Sequence, residues 1–156
     1  MWIFVIGIIV LVGAAYFGTQ RNKRLIEEGK MLDRDGTFYE KKELFITTSG
    51  YDAVMDALKN ADYSDAGASV YQSEDNSLLF KSSHSWNARL TYNGEQDGKN
   101  VFCYSLINWK THNGLPWRID TMNMMLTSVE KAFLSLDPNT MVETHKMETK
   151  TKTSFF

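Results

Sequence analysis

From Trp2 to Gly18 the chain reads WIFVIGIIVLVGAAYFG, without one charged side chain. About 17 residues rising 1.5 Å each make a helix of roughly 25 Å, the lower end of what crosses a hydrocarbon layer of about 30 Å. Ile3, Val5, Ile6, Ile8, Ile9, Val10 and Val12 are β-branched and would make a mediocre helix in water. In lipid every backbone N–H and C=O must bond within the segment, which leaves a lone span no conformation but the helix. A helix buried in a small globular core would show a polar stripe, and this run has none. A cleaved leader is the other alternative. Small residues at Val12 to Ala15 would suit its cleavage, but only Met1 stands where its basic opening should be. The run, residues 1–18, is read as a membrane anchor, with Trp2 at one end and Tyr16 and Phe17 at the other, where aromatic rings favour the headgroup layer.

Arg21, Lys23 and Arg24 follow the run and no basic side chain precedes it, so the positive-inside rule puts the rest of the chain in the cytoplasm as a single-pass membrane protein. The same three side chains are placed to touch anionic lipid headgroups. Cys103 is the only cysteine; it allows no intramolecular disulfide and suits a reducing compartment.

Beyond the anchor, residues 19–36 read as a juxtamembrane helix and turn, and residues 37–156 as one soluble domain. Gln20 to Leu32 has helix-favouring residues and the pair Arg24 and Glu28, weakened by Gly29, and Asp33-Arg34-Asp35-Gly36 is turn chemistry. Glu43 to Thr48 is strand-like with Leu44, Phe45 and Ile46 consecutive, a pattern that predicts cover on both faces. Ser49 and Asp52 have capping-box spacing, and Tyr51, Val54, Met55 and Leu58 then form one helical stripe. Four strands follow: Ala68 to Ser73, Ser77 to Ser82, the alternating Trp86 to Tyr92, and Val101 to Trp109, with Asn93-Gly94 opening the turn before the last. In that last strand Phe102, Tyr104 and Leu106 point one way and Val101, Cys103, Ile107 and Trp109 the other. Pro116 suits the first turn of a helix whose stripe is Ile119, Met122, Leu126, Val129, Phe133 and Leu136, stopped by Asp137-Pro138. Met141 to Thr153 reads as a charged edge strand. The fold expected is α+β: after the anchor, a two-layer sandwich of a mostly antiparallel sheet and two helices, in the order β-α-β-β-β-β-α-β.

Leu32-Asp33-Arg34-Asp35-Gly36-Thr37 resembles the DxDGT motif of the haloacid dehalogenase-like phosphatases, in which the first Asp is the nucleophile and the second an acid/base. The resemblance covers six residues. It follows the amphipathic EEGKM where that family has an apolar strand, and no acidic pair suited to magnesium comes later. Read instead as a calcium loop, the stretch would need ligands at Met31 and Lys42. His84, His112 and His145 have no ligand spacing, and Cys103 sits mid-strand as a small hydrophobe would. With no nucleophile elbow or nucleotide fingerprint, the sequence points to no catalytic residue, metal or cofactor. A net charge of −2 gives no basis for a nucleic-acid partner.

Two functions from different classes fit. The first is a non-enzymatic interaction domain, tethered to membrane lipid by its N-terminal helix, that binds a protein partner or a second copy through an apolar sheet face. The second is a small-molecule or lipid-binding pocket between the sheet and the long helix. The candidate residues for either are Trp86, Tyr92, Phe102, Tyr104, Leu106 and Trp109. Ordinary core packing explains the same aromatic residues without a ligand.

Overall fold

The computed structural model describes residues 18–147. The expected anchor, with Trp2, Tyr16 and Phe17, lies outside the described residues except for Gly18, as does the expected strand beyond Met147. Among the described residues no helix is long and apolar enough to cross a membrane. The fold is α+β with a six-stranded, wholly antiparallel main sheet and three helices, the two expected in the sandwich and one in the stretch read as a juxtamembrane helix.

Helix α1 covers 18–27. It stops short of Leu32 because Gly29 takes a left-handed conformation (φ +66°), with Gly29 N–H bonded to Ile26 O and Lys30 N–H to Leu25 O, the two bonds of a Schellman turn. A connector and a 3₁₀ turn, Phe38–Glu40, lead to β1, Lys41–Thr47. Glu43, Phe45 and Thr47 of β1 are buried, while Leu44 and Ile46 are half-buried on the other face. β1 is therefore covered fully on one face only. Helix α2, Tyr51–Asn60, starts from Gly50 without a side-chain cap. Ser49, the expected cap, has its backbone engaged elsewhere, its N–H bonded to Thr47 Oγ1 and its carbonyl accepting from Asn100 Nδ2.

Strands β2 (Ala68–Gln72), β3 (Leu78–Ser82), β4 (Trp86–Gln96) and β5 (Lys99–Trp109) form a meander. The β4–β5 turn is Asp97-Gly98, both at positive φ, with Gln96 paired to Lys99. Asn93-Gly94, expected to open this turn, stays inside the strand, where the register shifts between Tyr92 and Gly94. A second shift pairs Asn87 with Asn108 and Ala88 with Leu106, leaving Ile107 as the extra residue. That bulge moves Trp109 to the face of Trp86, where its ring meets Tyr39 edge-on at 5.5 Å, and so separates it from Ile107, with which strict alternation groups it.

A two-rung hairpin, β6 (Thr111–His112) and β7 (Leu115–Pro116), follows. Pro116 pairs with Thr111 in it and does not enter the first turn of α3, Ile119–Leu136, which begins after Arg118 in the left-handed region. β8, Met141–Lys146, closes the order β2-β3-β4-β5-β1-β8 as an exposed edge.

The core lies between α2, α3 and one sheet face. Phe45 stacks on Phe133 at 4.3 Å, Phe102 meets Phe133 at 5.4 Å, and Met122, Met125 and Val129 are fully buried beside them. Helix α1 runs parallel to α3: Arg21 pairs with Asp120 at one end (3.1 Å), and Lys131 donates to Gly29 O at the other. Leu25 packs on the core and Met31 is buried in it, so the packed unit begins before residue 37, where the sequence places the domain boundary.

Candidate functional site

Residues paired directly across antiparallel strands project to the same face, so register alone maps the face turned away from the helices. One row is Met141, Ile46 and Val101; the next is Glu143, Leu44, Cys103 and Thr91; a third is His145, Lys42, Ser105, Arg89, Leu79 and Tyr71. The first row is apolar and the third is mostly polar. Leu44, Ile46, Val101, Cys103 and Met141 stand together on three adjacent strands, and none belongs to the core cluster under the helices. Met141 is 49% exposed and Ile107, further along the same face, 43%.

The six aromatic and aliphatic candidates fall mainly on the opposite face. Trp86, Phe102, Tyr104 and Leu106 are buried in the core, which leaves them no surface for a partner. Trp86 Nε1 donates to Thr121 Oγ1 at 2.8 Å. Trp109 is half-buried against that core. Tyr92 alone of the six is exposed; its ring leans on Tyr51 at 5.0 Å and its hydroxyl donates to Asn100 Oδ1 at 2.6 Å. The face turned away from the helices carries Cys103, half-buried, and Ile107, exposed, with Val101 buried beside them.

A buried polar network fastens the α1–β1 connector to α3. Arg34 reaches Glu130 at 2.5 Å and donates through Nε to Asn123 Oδ1 at 2.9 Å. Asn123 Nδ2 donates to Leu32 O, and Leu32 N–H to Thr127 Oγ1. Arg34 belongs to the DxDGT-like stretch, and its burial separates the two aspartates in role. Asp33 is exposed, whereas Asp35 accepts from Thr37 N–H and Oγ1 and pairs with Lys41. Lys41 above all holds the Asp35 carboxyl down, to about 2. Asp35 thus makes a turn of the kind Asp favours in loops. The polar positions Asn123, Thr127 and Glu130 recur at helical spacing, a second stripe beside the apolar one.

Two further carboxylates differ in their surroundings. Asp137 accepts from Thr48 N–H and Oγ1, Thr47 Oγ1 and Asn139 N–H, and the Thr48 backbone bond leads in lowering it to about 2. Glu43, opposite Tyr104, is pushed up by burial against the pull of the hydrogen bond from Thr144 Oγ1. Burial also raises the Cys103 thiol, against the pull of Lys42, which keeps it protonated at neutral pH and weak as a nucleophile. Among the described residues no three His, Cys, Asp or Glu side chains come together as metal ligands would. An open groove of about 450 Å³ is lined by Tyr51, Asp75, Asn76, Ser77, Thr91 and Tyr92, and another of about 200 Å³ lies between α1, the connector and the start of α3. Of the six candidates only Tyr92 lines either of these.

No family model, curated protein or solved structure matches this chain.

Proposed function

We propose that the chain is a membrane-anchored, non-enzymatic interaction domain that binds a protein partner or a second copy of itself through the open face of its sheet. The observation that carries this is the adjacency of half-buried Leu44, Ile46 and Cys103 to exposed Met141 outside the core cluster, around the buried Val101 and bordered by Lys42, Arg89, Glu143 and His145. An apolar centre with a polar rim is the anatomy of a protein interface. The sequence of residues 1–18 supports the tether, and Arg21, Lys23 and Arg24 support a cytoplasmic domain.

Cys103 is the natural probe, because it is the only cysteine and lies within the patch. In membranes containing the full chain, maleimide should label Cys103 more slowly than in the same chain diluted in detergent. Substituting Ile46→Asp should restore the faster rate. A short bismaleimide joining two chains would identify the second copy as occupant. Equal labelling in membrane and detergent, with no joined dimer, would remove the proposal.

A further inference from the structure

We infer that the β6–β7 hairpin is a second membrane contact, and that the domain rests on the bilayer through Leu115 and Trp117. The inference relies on the reading of residues 2–17 as a bilayer span. Asn113 and Gly114 both hold positive φ, the tight turn that suits a two-residue hairpin, and Leu115 and Trp117 emerge from it 64% and 58% exposed. They are the two most exposed large hydrophobic side chains among the described residues. Trp117 N–H bonds to Lys110 O, so the aromatic position is fixed by the hairpin ladder.

The place of this hairpin in the fold selects lipid as the occupant. Arg21 of α1 pairs with Asp120, and Arg118 holds the same carboxylate from the other side at 3.2 Å. Trp117 is three residues before Asp120, hence within about 11 Å of it along the chain. Arg21 is in turn about 5 Å of helix from Gly18, the first residue of α1. Because α1 runs parallel to α3, the end of the domain from which the apolar run departs is the end that carries the hairpin. Trp117 and Gly18 both lie beyond the Arg21–Asp120 pair on that side, so their depths differ by at most about 6 Å, which a headgroup layer of about 5–8 Å on each side of the hydrocarbon covers. Tryptophan favours this layer, and exposed Lys23 and Lys110, with the one positive charge left over where Arg21 and Arg118 share Asp120, add positive charge at this end.

The test uses the full chain with Trp2→Phe, reconstituted in vesicles of phosphatidylcholine and phosphatidylglycerol at three to one, with and without bromine on the upper acyl chain. Three tryptophans remain, Trp86 buried and Trp109 half-buried, so contact of Trp117 should quench about a third of the emission. Adding Trp117→Phe should abolish most of that loss. Flotation of the same vesicles at alkaline pH reports the anchor separately. A chain that floats but is quenched equally with and without Trp117 would overturn the hairpin contact and leave the anchor standing. A chain that does not float would overturn both.

Discussion

The two faces of the sheet come from the same strands, often from alternate residues of one strand, yet they are built differently. Under the helices Phe45, Phe102 and Phe133 interlock at ring distances of 4.3 to 5.4 Å, and a change of shape at one is felt by the others. On the open face Leu44, Ile46 and Cys103 sit half-buried beside Lys42, Thr91 and Glu143, supported by the backbone ladder, with no second layer of the core cluster above them among the described residues. The covered face secures the fold. The open face can change its chemistry at small cost to stability, the condition a binding surface requires.

The largest expected effect breaks this contrast if it fails. Phe102→Ala should destabilise the chain by about 4 kcal/mol in urea titration, whereas Ile46→Ala should cost about 1 kcal/mol. Similar losses at the two positions would mean that the open face is packed as tightly as the covered one. Next comes the connector. Glu130→Ala leaves the Arg34 guanidinium buried without its carboxylate and should cost about 3 kcal/mol, while Glu130→Gln, which keeps an accepting oxygen, should cost less. Equal losses from the two would assign the effect to packing.

The smallest effects sharpen the covered face itself, through its two carboxylates. Asp137 is held at about 2 in the folded chain, so its contribution is present above the unfolded value near 4 and is lost as the pH falls from about 4 to about 2. Glu43 has the opposite sign. Its carboxyl is raised by burial, so the folded chain binds that proton more tightly, and the stabilisation is present below the unfolded value and lost as the pH rises through the folded one. Melting temperatures between pH 2 and 8 should show a flatter acid limb for Asp137→Asn and a flatter decline toward neutral pH for Glu43→Gln. An unchanged acid limb in Asp137→Asn would assign that limb to the other carboxyls held below their usual range, Asp35, Asp62, Asp75 and Glu28.

Much of the fold was legible wherever burial imposes a period. Val54, Met55 and Leu58 of α2 and Met122, Leu126, Val129 and Phe133 of α3 occupy the stripe their spacing requires. What escaped depends on single backbone choices that periodicity does not encode. Gly50 took the cap position from Ser49, Asp97-Gly98 formed the turn in place of Asn93-Gly94, and Pro116 joined a hairpin whose last bond runs from Trp117 N–H to Lys110 O. The bulge at Ile107 is of the same kind, since strict alternation cannot place Trp109 beyond it. The candidate residues stand out in the sequence by size and aromaticity, the same properties that drive burial, and most of them are core. A better signal was the row opposite them: Val101, Cys103 and Ile107 share strand β5 with a complete buried set and still alternate as apolar residues. The polar stripe Asn123, Thr127 and Glu130 was equally visible, but its partner Arg34 was hidden in a motif-like stretch about 90 residues away in the chain.

The position of β1 between β5 and β8 sets a timetable for synthesis. β1 is the first strand made among the described residues, and its outer neighbour, β8, is the last. At 5–20 residues per second, roughly 5–20 s separate the emergence of Thr47 from that of Met141. Throughout that interval the edge of Leu44, Phe45 and Ile46 has no strand to meet on that side. Lys41, Lys42 and Glu43 stand at its head, where charge discourages pairing with a neighbouring nascent chain. A stop codon placed just before Met141 leaves that edge open for good and should yield a chain more prone to aggregate through β1, although every element of the covered core is already present.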